Sequence, residues 1–193
     1  TINSLKGIPF LGPLSKRRPI ITGNIFFVSS GHTFASDSPA NGLKPTAPFK
    51  TIDYAIGQCT ASQGDSIAVM PGHTEAVTAA SGIAADVAGI NIIGLGTGRN
   101  RPAVSFTTVV GACLTVSAAN VLIENIFFDC TGKDALTNPI RVTGADCLIG
   151  DCEFLCANAA GQATNVIVTT ATADRLIVED SILYAATNDA GLA

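Results

Sequence analysis

Apolar residues in the second half of the chain fall in short alternating runs, and the runs themselves repeat. Val121-Leu122-Ile123-Glu124-Asn125-Ile126-Phe127-Phe128 aligns with Cys147-Leu148-Ile149-Gly150-Asp151-Cys152-Glu153-Phe154 and with Leu176-Ile177-Val178-Glu179-Asp180-Ser181-Ile182-Leu183. The starts of these runs, Val121, Cys147 and Leu176, are almost evenly spaced along the chain. A looser copy, Ile90 to Leu95, precedes Val121 by a slightly longer step. A second series, Leu114-Thr115-Val116, Ile140-Arg141-Val142 and Val166-Ile167-Val168, recurs at the same step that separates Val121 from Cys147. Two strand series sharing one period mark a repeat architecture.

Alternation within strands assigns the faces. Val121, Ile123, Ile126 and Phe128 share one side, as do Cys147, Ile149, Cys152 and Phe154, and then Leu176, Val178, Ser181 and Leu183. Asn125, Asp151 and Asp180 fall at the bend between runs, where their side chains bond the local backbone and tolerate a left-handed conformation. One such coil cannot bury its apolar face alone, so coils must stack with like residues in ladders about 4.8 Å apart. The pattern predicts an all-β fold, a parallel β-helix (solenoid) of about four or five coils.

Upstream, Gly23–Val28 reads as a strand, followed by a Ser/Gly/Asp/Pro-rich loop to Pro48. Thr51–Ile56 reads as a short helix with Phe49, Ile52 and Ile56 on one side, and Asp65–Met70 as a strand closed by Pro71-Gly72. Residues 25–63 thus form a capping strand and helix at the head of a 25–193 solenoid. Residues 1–24 show neither periodicity; they carry Pro9, Pro13, Pro19 and the basic run Lys16-Arg17-Arg18. Ile2, Leu5, Ile8, Phe10, Leu11 and Leu14 make this segment too apolar for a solvated tail. It reads as an extended arm that gains order against a partner, with a disordered tail as the alternative.

The stretch GNIFFVSSGHTFASDSPANGLKPTAPFKTIDYAI, with DSIAVMPGHT and INIIGLGTGRNRP after it, resembles the first rungs of right-handed β-helix proteins of the pectate-lyase-like superfamily. The resemblance covers Gly23 to the C-terminus and is more specific for architecture than for activity. It implies a right-handed coil. Short members with an arm and no signal peptide look most like bacteriophage virion proteins. That implies a place on the virion after assembly in the host cytoplasm, major capsid or other virion proteins as partners, and a homotrimer.

Composition narrows the function. Of 193 residues, 15 are acidic and 11 basic, a net charge of −4, which argues against a nucleic-acid partner. Charged residues make up 13% and apolar ones 47%, with mean hydropathy +0.41. This excludes disorder for most of the chain, while no apolar run approaches the roughly 18 residues of a membrane span. The six cysteines form no CxxC pair, and no apolar leader opens the chain. Buried free thiols are expected in an intact cytoplasmic product, with a disulfide as the alternative. Cys130 and Cys156, at equivalent positions beyond the bends at Asn125 and Asp151, fall side by side as either a disulfide or a ladder of small residues.

No catalytic set, cofactor loop or metal site emerges. Gly94-Leu95-Gly96-Thr97-Gly98 lacks the GxGxxG spacing and reads as a turn. His32 and His73 have no further ligands at metal spacing and read as turn or surface residues. Asp151 and Asp180 share the bend ladder with Asn125, and Glu124 and Glu179 lie two coils apart with Gly150 between them. Glycoside hydrolysis needs its carboxylates placed about a substrate. Outward positions carry more. Leu122, Leu148 and Ile177 recur beside the bend, Phe127 and Ile182 flank Glu153, and Ile167 follows Thr115 and Arg141. An apolar stripe on an outer face marks an interface between copies, unless the chain's own loops or arm cover it.

The expectation is a non-enzymatic capsid decoration, cement or head-spike component. Its arm residues Ile8, Phe10, Leu11 and Leu14 bury apolar area on the virion, with Lys16, Arg17 and Arg18 against acidic partner surface. The alternative is a tailspike-like polysaccharide-binding or -degrading protein, disfavoured by the absence of Trp and a total of two Tyr.

Overall fold

The computed structural model describes residues 21–158 and 161–186; the arm residues Ile8, Phe10, Leu11, Leu14, Lys16, Arg17 and Arg18 lie outside them. Strand β1 (Ile25–Val28) and helix α1 (Ile52–Ile56) come first. Strands then follow in triplets: β2 (Ser66–Val69), β3 (Thr74–Val77) and β4 (Ile83–Ala85); β5 (Asn91–Gly94), β6 (Ala103–Phe106) and β7 (Leu114–Val116). The next are β8 (Leu122–Glu124), β9 (Phe127–Asp129) and β10 (Ile140–Val142). The fourth coil has β11 (Leu148–Gly150), β12 (Glu153–Asn158), β13 (Gly161–Gln162) and β14 (Ile167–Thr169), and β15 (Ile177–Glu179) and β16 (Ile182–Ala186) follow it.

Each member of a triplet joins a different sheet. The first sheet runs β1-β2-β5-β8-β11-β15, the second β3-β6-β9-β12-β16, and the third β4-β7-β10-β14. Pairing between these strands is parallel except at the short β12–β13 contact. The result is a parallel β-solenoid of about four turns, nearly all β.

The core consists of ladders through the three sheets. Phe26, Ile67, Ile92, Ile123 and Ile149 are in register on the first sheet and all are buried. Val104, Phe128 and Phe154 do the same on the second. Phe128 and Phe154 stack with ring centroids 5.2 Å apart and planes 16° from parallel, and Phe106 adds a third ring 6.3 Å from Phe128. Ile83, Leu114 and Ile140 line the third sheet.

The bends follow from backbone chemistry. Asn125, Asp151 and Asp180 have φ of 57°, 50° and 48°, the left-handed region that Asn and Asp tolerate best among residues with a Cβ. Asn125 also donates through Nδ2 to the Gly94 carbonyl (2.7 Å) and the Gly96 carbonyl (3.0 Å), tying one coil's bend to the one before. Gly94 is required there, because a Cβ would sit 2.0 Å from the Asn125 carbonyl oxygen. A second left-handed ladder, Gly89, Asn120, Asp146 and Arg175, precedes the first-sheet strands.

One register differs from the sequence expectation. Ile140 pairs with Leu114 on one side but with Ile167, not Val166, on the other, so the last turn of the third sheet is one residue longer than the turn before it. A one-residue slip moves every side chain to the opposite face. Ile167, expected outward, therefore continues the core ladder of Leu114 and Ile140, half-buried at the last coil.

Replacing Asn125 by Ala removes two hydrogen bonds and places a Cβ residue without compensation at positive φ, at a combined cost of about 2–3 kcal/mol. Asn125→Gly keeps the backbone conformation and loses less, a difference read directly from denaturant midpoints.

Candidate functional site

Outward positions of the second sheet form two parallel rows. Thr74, Ala103, Phe127, Glu153 and Ile182 are in register along one, and Ala76, Ser105, Asp129, Leu155 and Tyr184 along the other. Early coils contribute small side chains to this face and later coils large ones, so the surface is stepped. Thr74, Ala76, Ala103 and Ser105 floor a depression of about 320 Å³ walled by Phe127 and Asp129. On the other side of Phe127, a second depression of about 390 Å³ is bounded by Arg99, Arg101, Glu153 and Tyr184. Ala103 and Phe127 line both, making one groove with an aromatic ring at its centre.

Its polar groups are held in place. Arg101 Nη1 lies 2.7 Å from Glu153 Oε1, and the Arg101 side chain is only 18% exposed. The pair is ionic contact without hydrogen-bond alignment, since Arg101 Nε and Nη1 are buried and make no hydrogen bond. Asp129 Oδ1 accepts from the Thr131 amide (2.9 Å) and hydroxyl (2.6 Å). Burial first, then the Glu153 and Asp129 carboxylates, push the Tyr184 phenol above its ordinary value, so these three groups share one local field.

The expected apolar stripe is altered. Leu122 and Leu148 point outward in register but are 7% and 5% exposed, covered within the chain rather than wet. One local cause is Gly150: with no side chain there, Leu148 folds along the strand and its Cδ2 sits 3.1 Å from where a Cβ would be. Ile177 and Phe127 are half-buried, and Ile182 is exposed. Exposed apolar side chains lie in the loop after β1 (Phe34, Leu43), in the turn before β7 (Val109, Val110) and on the last described coil. Val178 and Leu183 occupy core-ladder positions, yet they are 43% and 54% exposed.

At the opposite end the first coil is covered. Phe49, Ile52, Ala55 and Ile56 are buried, and α1 lies against β1, β2 and β4. The Thr51 hydroxyl accepts from the Tyr54 amide to start the helix. Residues 42–49 run along the free edge of β1, the Phe27 amide donating to Gly42 O and the Phe49 amide to Phe27 O. Glu75 stands at the head of the Val104–Phe128–Phe154 ladder; its Oε2 accepts from the Ile52 amide (2.9 Å) and from His73 Nε2 (3.1 Å). His73 is wholly buried, not a surface residue, and its Nδ1 accepts from the Ser30 amide at 3.0 Å, which fixes the Nε2–H tautomer. Sequence reasoning missed this lock because Ser30, Ile52 and the His73–Glu75 turn are far apart along the chain.

Glu124, Gly150 and Glu179 are in register as expected, with Gly150 separating the two carboxylates. Asp151 and Asp180 are bend residues. Among the described residues no group of His, Cys, Asp and Glu is arranged to hold a metal ion. All six cysteines are free; Cys156 lies near enough to Cys130 that, after burial, its thiolate adds to the rise of the Cys130 thiol.

No protein family, curated protein or solved structure matches the chain.

Burial pushes the Cys59 and Cys152 thiols up to about 12 and raises Cys130 further still. The folded chain keeps these protons when the unfolded chain has begun to lose them near 9. Stability is therefore fully present below that pH and declines as pH rises toward about 12. Urea midpoints should stay flat up to mild alkali and then fall, and alanine at Cys152 should flatten the alkaline limb.

Proposed function

We propose that this chain is a structural assembly protein of a bacteriophage particle, a decoration, cement or head-spike component held by its N-terminal arm and joined to its own copies through the solenoid. The observation that supports an assembly role most directly is the contrast between the two ends. Helix α1, Phe49 and the 42–49 segment act as a cap on the first coil, whereas Val178 and Leu183 are exposed at the last described one. Burying one such side chain contributes roughly 1.5–3 kcal/mol, so an uncovered core end favours association.

Ile177 and Ile182 extend the same apolar surface onto the first and second sheets beside that end. A three-fold arrangement brings this corner of three subunits to a common axis, which suits the homotrimer implied by the resemblance. The major capsid protein or another virion protein is the partner for the arm. There, Ile8, Phe10, Leu11 and Leu14 supply apolar area and Lys16, Arg17 and Arg18 meet an acidic surface. The role is cementing in the virion, without turnover of a substrate.

The purified chain should have about three times its single-chain mass of 19.6 kDa by light scattering. Leu183→Asp, which puts a charge on the open end, should give single subunits with unchanged circular dichroism. A wild-type chain that stays single at high concentration overturns the assembly reading. Deleting residues 1–22 should abolish attachment to particles while leaving the folded solenoid; retained attachment overturns the role of the arm.

A further inference from the structure

We propose that Cys130 and Cys156 are an oxidation site: a small-molecule disulfide converts them into a covalent staple between the third and fourth coils, absent from the reduced protein. Strands β9 and β12 pair Phe127, Phe128 and Asp129 with Glu153, Phe154 and Leu155. The Cys130 amide donates to the Leu155 carbonyl at 3.0 Å, which carries the register one step further and sets Cys130 beside Cys156. Each cysteine lies two residues beyond a stacked ring, Phe128 or Phe154, so alternation turns both thiols to the same inward face. Their sulfurs also repeat one another, 4.0 Å from the Phe128 carbonyl oxygen and 3.5 Å from that of Phe154.

This spacing suits a disulfide. Neighbouring strands lie about 4.8 Å apart, inside the Cα–Cα range of roughly 4.4–6.8 Å that a disulfide spans. Closing the bond needs rotation of the side chains and an approach of the two Cβ atoms by about 1 Å. The strand has slack for it, because the register of β12 against β16 shifts between Leu155 and Ala157, at Cys156 itself. The other cysteines stack differently. Register sets Cys147 between Val121 and Leu176, and Cys152 between Ile126 and Ser181. Cys113 meets the Ser81 amide and the Thr115 hydroxyl, and Cys59 the Ala55 carbonyl.

Accessibility sets the order of the chemistry, since Cys156 is half-buried and Cys130 wholly buried. The Cys156 thiolate attacks one sulfur of the oxidant, whose S–S bond breaks and releases one thiol, leaving a mixed disulfide on Cys156. Cys130 then gives up its proton and attacks the Cys156 sulfur, displacing the second thiol. The oxidant takes up two electrons, and the two cysteine protons end on the released thiols. Burial pushes both thiols up, so the bond closes slowly and only in a persistently oxidising medium. The staple is therefore open in a reducing cell interior and closed outside it. Once closed, it spans one full coil of chain and restricts the unfolded state.

The test is incubation of the reduced full chain with excess cystamine in mild alkali, without denaturant. Remaining thiols are then trapped with N-ethylmaleimide and the digest mapped by mass spectrometry. The intact mass should fall by two hydrogen atoms, with Cys130 and Cys156 in one linked fragment that dithiothreitol separates. The urea midpoint of the linked chain should rise by about 1 M over the reduced chain. Cys156→Ser, a half-buried exchange of similar size, should neither form the link nor gain the rise. Recovery of Cys130 and Cys156 as free thiols or cystamine adducts overturns the proposal, as does a link between another pair in their place. A Cys130–Cys156 link that forms only in urea, or one that leaves the midpoint unmoved, overturns it equally.

Discussion

Parallel, in-register stacking governs this molecule. Once a coil of three short strands is laid on another at about 4.8 Å, each residue's neighbours above and below are set by the repeat. A core position that is stacked on both sides then stays apolar from coil to coil, as Ile67, Ile92, Ile123 and Ile149 do. Variation in coil length is pushed into the turns, so coils of unequal length coexist with unbroken ladders. The bends are held to the same rule. Left-handed residues recur before and after the first-sheet strands, at Gly89, Asn120, Asp146 and Arg175 and at Asn125, Asp151 and Asp180.

A stack of this kind has no natural end, because each coil satisfies its backbone and its apolar face only through the next. The first coil resolves this with non-repeating sequence. Phe49 and α1 pack against the first coil, residues 42–49 hydrogen-bond along β1, and Glu75, at the head of a core ladder, accepts from the helix amide of Ile52. His73 holds Glu75 and the Ser30 amide together, so one buried imidazole joins the loop after β1 to the first turn of the coil. Nothing equivalent covers Val178 and Leu183 among the described residues. An uncovered parallel edge is a template for another chain, which is why ends are where solenoids associate.

The sequence carries the inside of this fold far better than its outside. Inward positions repeat, so the faces of Val121, Ile123, Ile126 and Phe128 and their copies are legible, as are the bend residues Asn125, Asp151 and Asp180. The third sheet is legible for two coils only, because Val166-Ile167-Val168 offers apolar residues in either register and periodicity cannot choose between them. The exposure of Leu122 and Leu148 escapes the pattern for a different reason. Alternation gives the direction of a side chain, whereas its accessibility depends on neighbours such as Gly150 that let it lie flat. The groove leaves almost no trace, since Ala103, Phe127, Glu153 and Ile182 share a row in space but no chemical type. Register is the signal that could find it: once the coils are aligned, the outward rows can be written down directly.

That contrast has a physical root. Stacking constrains inward residues by packing on all sides, but it holds outward residues only by backbone spacing, so the outer rows can change without disturbing the core. A step from Ala to Phe to Glu along one row creates relief on a surface whose backbone is nearly flat. The Arg101–Glu153 pair and the Asp129–Thr131 contacts then stiffen the relief by holding polar groups that would otherwise rotate freely. The open end and the groove are thus two products of one construction. The first lies at the last described coil, where Val178 and Leu183 are exposed, and the second where the ladder's outer face is free to vary.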